Sequence, residues 1–172
     1  AIFTDDEEMY QKLVSIRVHG KGSYKYENVR LGLNARLDTM QAAILLPKLR
    51  ALDGEIEVRN RMAARYSEKL EGVVEPQKVL DGYFSSCGYY TAQAKDGAHR
   101  DAIMAGLKEK EIPTMIYYPI PLHLQKVYES LGYQKGDLPV CEALCERVFS
   151  LPMHGYLTEE QVDFICDTIK SL

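Results

Sequence analysis

Asn34 and Arg36 carry the side chains best suited to chemistry in this chain of 172 residues. Asn34 can donate two N–H bonds, and Arg36 offers a planar fork of donors matched to phosphate or carboxylate. Both sit in a Gly-led turn, Gly32-Leu33-Asn34-Ala35-Arg36-Leu37, that feeds a helix opened by Asp38 with Gln41 placed as a capping-box partner. Free backbone N–H groups and the helix dipole make such a junction a ready anion site. The residues also admit a plainer use, with Asn34 as a left-handed turn residue and Arg36 paired locally with Asp38. A second group is Tyr117 and Tyr118, just before Pro119 at the end of a β-branched and aromatic run. Strand alternation points them to opposite faces, so at most one is core and the other can meet a sugar or nucleotide through its ring and hydroxyl. His19, His123 and His154 are assigned structural roles. No Ser/His/Asp set, carboxylate pair, P-loop or Gly-x-Gly-x-x-Gly is present, so the residues alone supply no catalytic nucleophile or base.

The bulk properties narrow the classes. A net charge of −4 argues against a nucleic-acid coat and against a polybasic membrane binder. No apolar run approaches the ~20 residues of a transmembrane helix, and the N-terminus has no basic-then-apolar signal pattern. The four cysteines, Cys87, Cys141, Cys145 and Cys166, lack C-x-x-C spacing. Cys141 and Cys145 can share one helix face, but no well-spaced histidine completes a metal site, so all four are expected as core thiols in a reducing cytoplasm.

The elements that position these residues follow from periodicity. Thr4 with Glu7 predicts a capping box and a helix over about 5–18, ending near His19-Gly20. The polar stretch 21–30 is expected as a loop. Beyond Asp38, apolar residues at steps of three and four predict helix almost to Gly72, about 50 Å long, with a kink or break at Pro47 and a weak point at Gly54. Residues 72–86 are expected as a loop. A strand over 88–94, a helix over 98–110 and a strand over 114–118 then give a strand–helix–strand unit, right-handed if the strands are parallel. Asp137 and Pro139 open another helix, 149–153 form a short strand, and a Thr158–Gln161 capping box opens the last helix. The fold class is α/β with α+β character: long connector helices in 1–72, and a small α/β domain in 73–172 with about three strands and helices on one face.

The run GLNARLDTMQAAILLPKL (32–49) resembles the segment after the active site in the DegT/StrS family of pyridoxal-phosphate (PLP) dependent aminotransferases, which act on nucleotide-activated keto-sugars. IPTMIYYPIPLHLQ (112–125), VFSLPMHGYLTEEQVDFI (148–165) and the opening AIFTDDEEMYQKLVSIRVHG are similar to the same family, in family order. The resemblance implies the C-terminal part of a fold-type-I enzyme, most similar to aminotransferases of UDP-linked 3-oxo-glucuronates, with relatives acting at the sugar's C4 close behind. The lysine that holds PLP would lie just upstream of the residue matching Ala1, so the chain alone is expected to be inactive. By the resemblance, loop 21–30 lies over the nucleotide-sugar site, Asn34 reaches the PLP phosphate of a neighbouring subunit, and Arg36, Tyr117 and Tyr118 meet the substrate. A histidine marks the position matching Tyr117 in family members that bind a sugar carboxylate, so tyrosine speaks against uronic-acid recognition. The implied partners are a nucleotide sugar, an amino-acid donor such as glutamate and a second copy of the chain, in a cytoplasmic pathway to amino sugars or cell-surface polysaccharide. The competing expectation is a stand-alone α/β binding or dimerisation module without enzymatic activity.

Overall fold

A computed structural model of the chain describes all 172 residues. The chain falls into two compact units, Ala1–Arg50 and Ala51–Leu172.

The first unit is held by backbone pairing instead of a core. Helix α1 (Glu7–Ile16) is capped by Asp6, whose carboxylate accepts the Met9 N–H at 3.0 Å, and no residue of α1 is buried. The chain then doubles back. Leu33 N–H bonds the Ile16 carbonyl at 2.7 Å, His19 N–H the Leu33 carbonyl at 2.9 Å, and Ala35 N–H the Arg17 carbonyl at 3.0 Å. Gly32 permits this close pass, because a Cβ there would collide with the backbone of His19 and Gly20. No apolar side chain of the unit is buried: Leu13, Val14, Ile16 and Val18 are half-buried, and Leu31 is 97% exposed.

Helix α2 (Thr39–Lys69) crosses the boundary between the units in 31 residues, about 46 Å at 1.5 Å per residue. Its last turns belong to the core of the second unit, with Met62 and Tyr66 buried four residues apart and Leu70 buried in the turn that follows. They meet a three-stranded antiparallel sheet of β1 (Glu75–Pro76), β2 (Tyr90–Gln93) and β3 (Val148–Leu151), in that order. The register pairs Tyr90 with Leu151 and Ala92 with Phe149, which puts these four on one buried face. Tyr66 stacks on Tyr90 with ring centroids 4.8 Å apart, and its hydroxyl donates to the Pro152 carbonyl at 3.2 Å. Helix α3 (Gly97–Glu109), capped by Asp96, adds Ile103 and Leu107, and α5 (Glu159–Lys170) adds Val162, Ile165, Cys166 and Ile169. Each such buried side chain contributes about 1.5–3 kcal/mol of transfer free energy. Arg65 clamps α2 to α5 through paired bonds to Asp163 at 2.6 and 2.7 Å. At Gly155 the chain passes so close to Glu55 that a Cβ would sit 2.6 Å from its side chain. The other sheet face carries Thr91 and Ser150, hydrogen-bonded to each other at 2.8 Å, and forms the floor of the grooves described below.

Several expectations need correction. The Thr4–Glu7 box does not form: Asp6 caps α1, while the Thr4 hydroxyl accepts the Asp6 N–H at 3.1 Å and Glu7 bonds Gln11. The helix stops at Ile16, two residues short, because the returning strand takes over the pairing. Helix α2 runs through Pro47 and Gly54 without a break, the proline costing it one N–H bond. The expected 72–86 loop holds β1, and the 114–118 strand shrinks to a single bridge between Met115 and Ser150. All strand pairs are antiparallel, so no right-handed crossover exists. The third strand comes from the loop and not from the apolar run, since Pro113 and Pro119 limit ladder donors at both ends of that run. Of the four thiols only Cys166 is buried, and Cys141 lies exposed. The second compact unit takes in the second half of α2, which packs with the sheet.

Candidate functional site

In the first unit, Asn34 and Arg36 emerge from the strand-like return segment, two residues apart and both exposed. Val18 bridges Asn34 through the backbone, which fixes the Cα position and leaves the carboxamide free. Asp38 caps α2, accepting the Met40 N–H at 2.8 Å and the Gln41 N–H at 3.4 Å; Gln41 does not return a side-chain bond. Neither Asn34 nor Arg36 has a side-chain hydrogen bond or ion pair within the chain, so the local Arg36–Asp38 pairing is absent. Two unspent donor groups therefore stand just ahead of a capped helix.

In the second unit, Tyr117 and Tyr118 lie together at one side of an open groove of about 570 Å³. Both are exposed, at 42% and 71%, so neither is core. Pairing has already ended at Met115, so Tyr117 and Tyr118 line one groove instead of turning to opposite sheet faces. Tyr117 packs on Tyr89 with centroids 4.8 Å apart, and Tyr118 meets Tyr117 edge-on at 6.3 Å. Asp137, Leu138 and Pro139, at the start of helix α4 (Pro139–Arg147), line the same groove, as do Thr91 and Val148. Aromatic rings with free hydroxyls over a mostly apolar trough suit a sugar or nucleoside face. A second cavity of about 710 Å³ touches Lys95, His99 and Arg147 but none of the predicted site residues.

Behind the groove, His123 and Glu142 form a buried pair, Nε2 to Oε1 at 2.9 Å, each 9% exposed. Burial opposes ionisation of Glu142, but the Gly136 N–H, the His123 ring and the Leu138 N–H outweigh it and hold the carboxyl below its ordinary value. His123 is thus packed and bonded, whereas His154 is exposed and accepts only the Tyr156 N–H, at 3.2 Å. Sequence reasoning missed Tyr89 and Glu142. The Tyr89-Tyr90 doublet in a strand did signal one inward and one outward ring. Glu142 gave no signal, because its partners come from residues 123, 136 and 138. No group of three metal-ligating side chains exists in the chain.

The profile of the DegT/DnrJ/EryC1/StrS aminotransferase family matches residues 1–170. The chain belongs to this family. It is 45% identical over 98% of its length to a pleiotropic regulatory protein of Geobacillus stearothermophilus, covering 45% of that protein. It is 38% identical over 96% of its length to the UDP-2-acetamido-2-deoxy-3-oxo-D-glucuronate aminotransferase of Pseudomonas aeruginosa, again covering 45%. The crystal structure of a DegT DnrJ EryC1 StrS aminotransferase from Brucella abortus superposes with a TM-score of 0.88 at 44% identity, over 98% of this chain and 44% of that one. Spr1654 of Streptococcus pneumoniae in its PLP form gives 0.87 at 27% identity, over the same shares. The chain thus spans under half the length of the relatives it matches, and its small antiparallel sheet with flanking helices is that of the DegT aminotransferases. Pyridoxal phosphate is the cofactor that goes with this family. The residues present fit part of it: the unpartnered Asn34 carboxamide is a donor of the kind a phosphate needs. No helix is long and apolar enough to cross a membrane.

Proposed function

We propose that this chain is the C-terminal portion of a PLP-dependent aminotransferase that moves an amino group, with glutamate as donor, onto a nucleotide-linked keto-sugar in amino-sugar or cell-surface polysaccharide biosynthesis. The match of the aminotransferase family over residues 1–170 carries this reading. In the whole enzyme, residues 1–72 connect to a larger domain and 73–172 form the small domain, within a cytoplasmic homodimer. PLP supplies the electron sink, and the protein supplies position and charge. Asn34 donates to the cofactor phosphate across the subunit boundary. Arg36 takes the anionic part of the substrate with its bidentate fork. Tyr117 and Tyr118 present rings and hydroxyls to the sugar or nucleotide. That the exposed side chains of Asn34 and Arg36 have no partner in their own chain supports roles outside it.

Complementation in the full-length enzyme tests the reading. An Asn34→Ala subunit and a subunit lacking the cofactor-holding lysine are each inactive alone. Mixed, they leave one intact composite site if Asn34 reaches across, and part of the activity returns. Hybrid dimers that form without any rescue would refute the cross-subunit role. Arg36→Lys keeps the charge and loses the fork, so it raises KM for the nucleotide sugar more than it lowers kcat.

A further inference from the structure

We propose that Glu142, acting through His123, is a positioning residue that sets the spacing between the two walls of the tyrosine groove. The inference rests on the reading above only for the identity of the ligand. One wall is Tyr117 and Tyr118; the other is Asp137, Leu138 and Pro139. Between the walls the chain from 119 to 138 has only two short 3-10 turns, Leu122–Leu124 and Lys126–Leu131. Segments with so little repetitive hydrogen bonding open locally unless something anchors them.

A single side-chain bond joins the segment that follows the tyrosines to helix α4, and it is the His123 Nε2–Glu142 Oε1 contact at 2.9 Å. The same carboxylate also collects the donors of the far wall. Gly136 N–H lies 2.9 Å from both its oxygens, and Leu138 N–H lies 3.3 Å from Oε1. One buried anion therefore gathers three donors from two segments, and a buried carboxylate is tolerable only while such donors stay in place. The link from His123 to the tyrosines is short and stiff. Only Pro119-Ile120-Pro121 and Leu122 intervene, and each proline ring fixes its φ near −65°. Moving His123 therefore moves Tyr118, and Tyr133 packs edge-on against the His123 ring at 6.0 Å to complete the anchor. The chemistry read at this groove is that of the sugar or nucleoside face of the substrate, so Glu142 governs substrate affinity without touching substrate.

Residue-resolved amide hydrogen exchange on the chain itself, comparing wild type with Glu142→Gln, tests the inference. The substitution keeps the size, removes the charge and turns an amide N–H₂ toward backbone donors. The expected result is exchange about tenfold faster at Gly136 and Leu138 and also, across the groove, at Leu124 and Gln125, whose N–H groups bond the Pro121 and Leu122 carbonyls at 3.0 Å, with Phe149 in the sheet unchanged. His123→Asn leaves the carboxylate its backbone donors, so it should release Leu124 and Gln125 while sparing Gly136. In the full-length enzyme, well below its Tm, Glu142→Gln should raise KM for the nucleotide sugar about tenfold and change kcat by less than about threefold. A residue that merely stabilises the fold would lower Tm and leave KM alone. Unchanged exchange at Leu124 and Gln125 in both variants, or a lowered Tm with an unaltered KM, would overturn the proposal. If the full-length wild type fails to turn over a nucleotide sugar, the functional reading falls, and the exchange experiment still decides the proposal.

Discussion

Helix α2 contains its own control experiment, because one continuous helix passes from a region that buries nothing to the centre of a core. Met62 and Leu70 are 2% and 1% exposed, whereas Leu45 and Leu49 are 50% and 66% exposed. Truncating a buried Met or Leu to Ala costs about 2–5 kcal/mol, the transfer term plus the cavity it leaves. Leu49 removes only a third of its surface from water, so its share of the ~1.5–3 kcal/mol for full burial is about 0.5–1 kcal/mol. Leu and Ala differ little in helix propensity, so no backbone term distorts the comparison. The chain has no tryptophan, and urea unfolding followed by far-ultraviolet circular dichroism is the natural assay. Met62→Ala and Leu70→Ala should lower the midpoint sharply at constant m, and Leu45→Ala and Leu49→Ala should barely move it. A cost of about 2 kcal/mol or more for Leu49→Ala in the isolated chain would refute the assignment. In the full-length enzyme the contrast should shrink, since the connector role proposed for residues 1–72 covers Leu45 and Leu49.

Two further outcomes follow from the titratable groups. Hydrogen bonding to Arg65 holds the Asp163 carboxyl well below its ordinary value against the opposing effect of burial. Its stabilising contribution is therefore present above about pH 4, the unfolded value, and disappears as pH falls below it. Asp163→Asn should flatten the acid limb of a stability–pH curve, and an unchanged slope below pH 4 would count against the Arg65 clamp. Burial pushes the Cys166 thiol up to about 11 while Cys141 lies exposed. At pH 8 a disulfide reagent should modify Cys141 at least about a hundredfold faster than Cys166, and comparable rates would show the core to be open.

What could be read from the sequence depended on how local the determining interaction was. The Thr158–Gln161 capping box forms as expected, with both reciprocal bonds, because a cap is decided within four residues. Ile103, Leu107, Val162 and Ile169 are buried as their helical spacing required. Strand pairing was not legible, since β1 is two residues long and exists only because Glu75 and Pro76 lie against Gln93 and Ala92. At the N-terminus two overlapping caps competed, and the ionised Asp6 displaced Thr4 as acceptor. The family was legible where its motifs carry unusual residue sets, as in 32–49 and 112–125. Glu142 was invisible, because a long-range carboxylate leaves no mark on local periodicity.

The placement of Asn34 and Arg36 has a physical consequence of its own. A binding group is useful only when held to within about 0.5 Å of its working position by packed neighbours. In the first unit the backbone is pinned by bonds such as Leu33 N–H to the Ile16 carbonyl, yet no apolar side chain is buried around the two donors. Their Cα positions are thus fixed and their side chains are not. Under the proposed reading, the missing packing comes from surfaces that meet Leu31, Leu33 and Leu37, all exposed here and all flanking the donors in sequence. An arginine ordered only on assembly gains its fork geometry at the same moment as its ligand site closes, and the entropy of ordering it is then drawn from assembly instead of from substrate binding. The groove of the second unit is built the opposite way, with Tyr117 already packed at a tilt against Tyr89 and its walls tied through Glu142. On the proposed reading the chain contributes one preformed half-site and one that assembly must complete, and loss of the proposed dimer should weaken Arg36-dependent binding far more than contacts made by Tyr117.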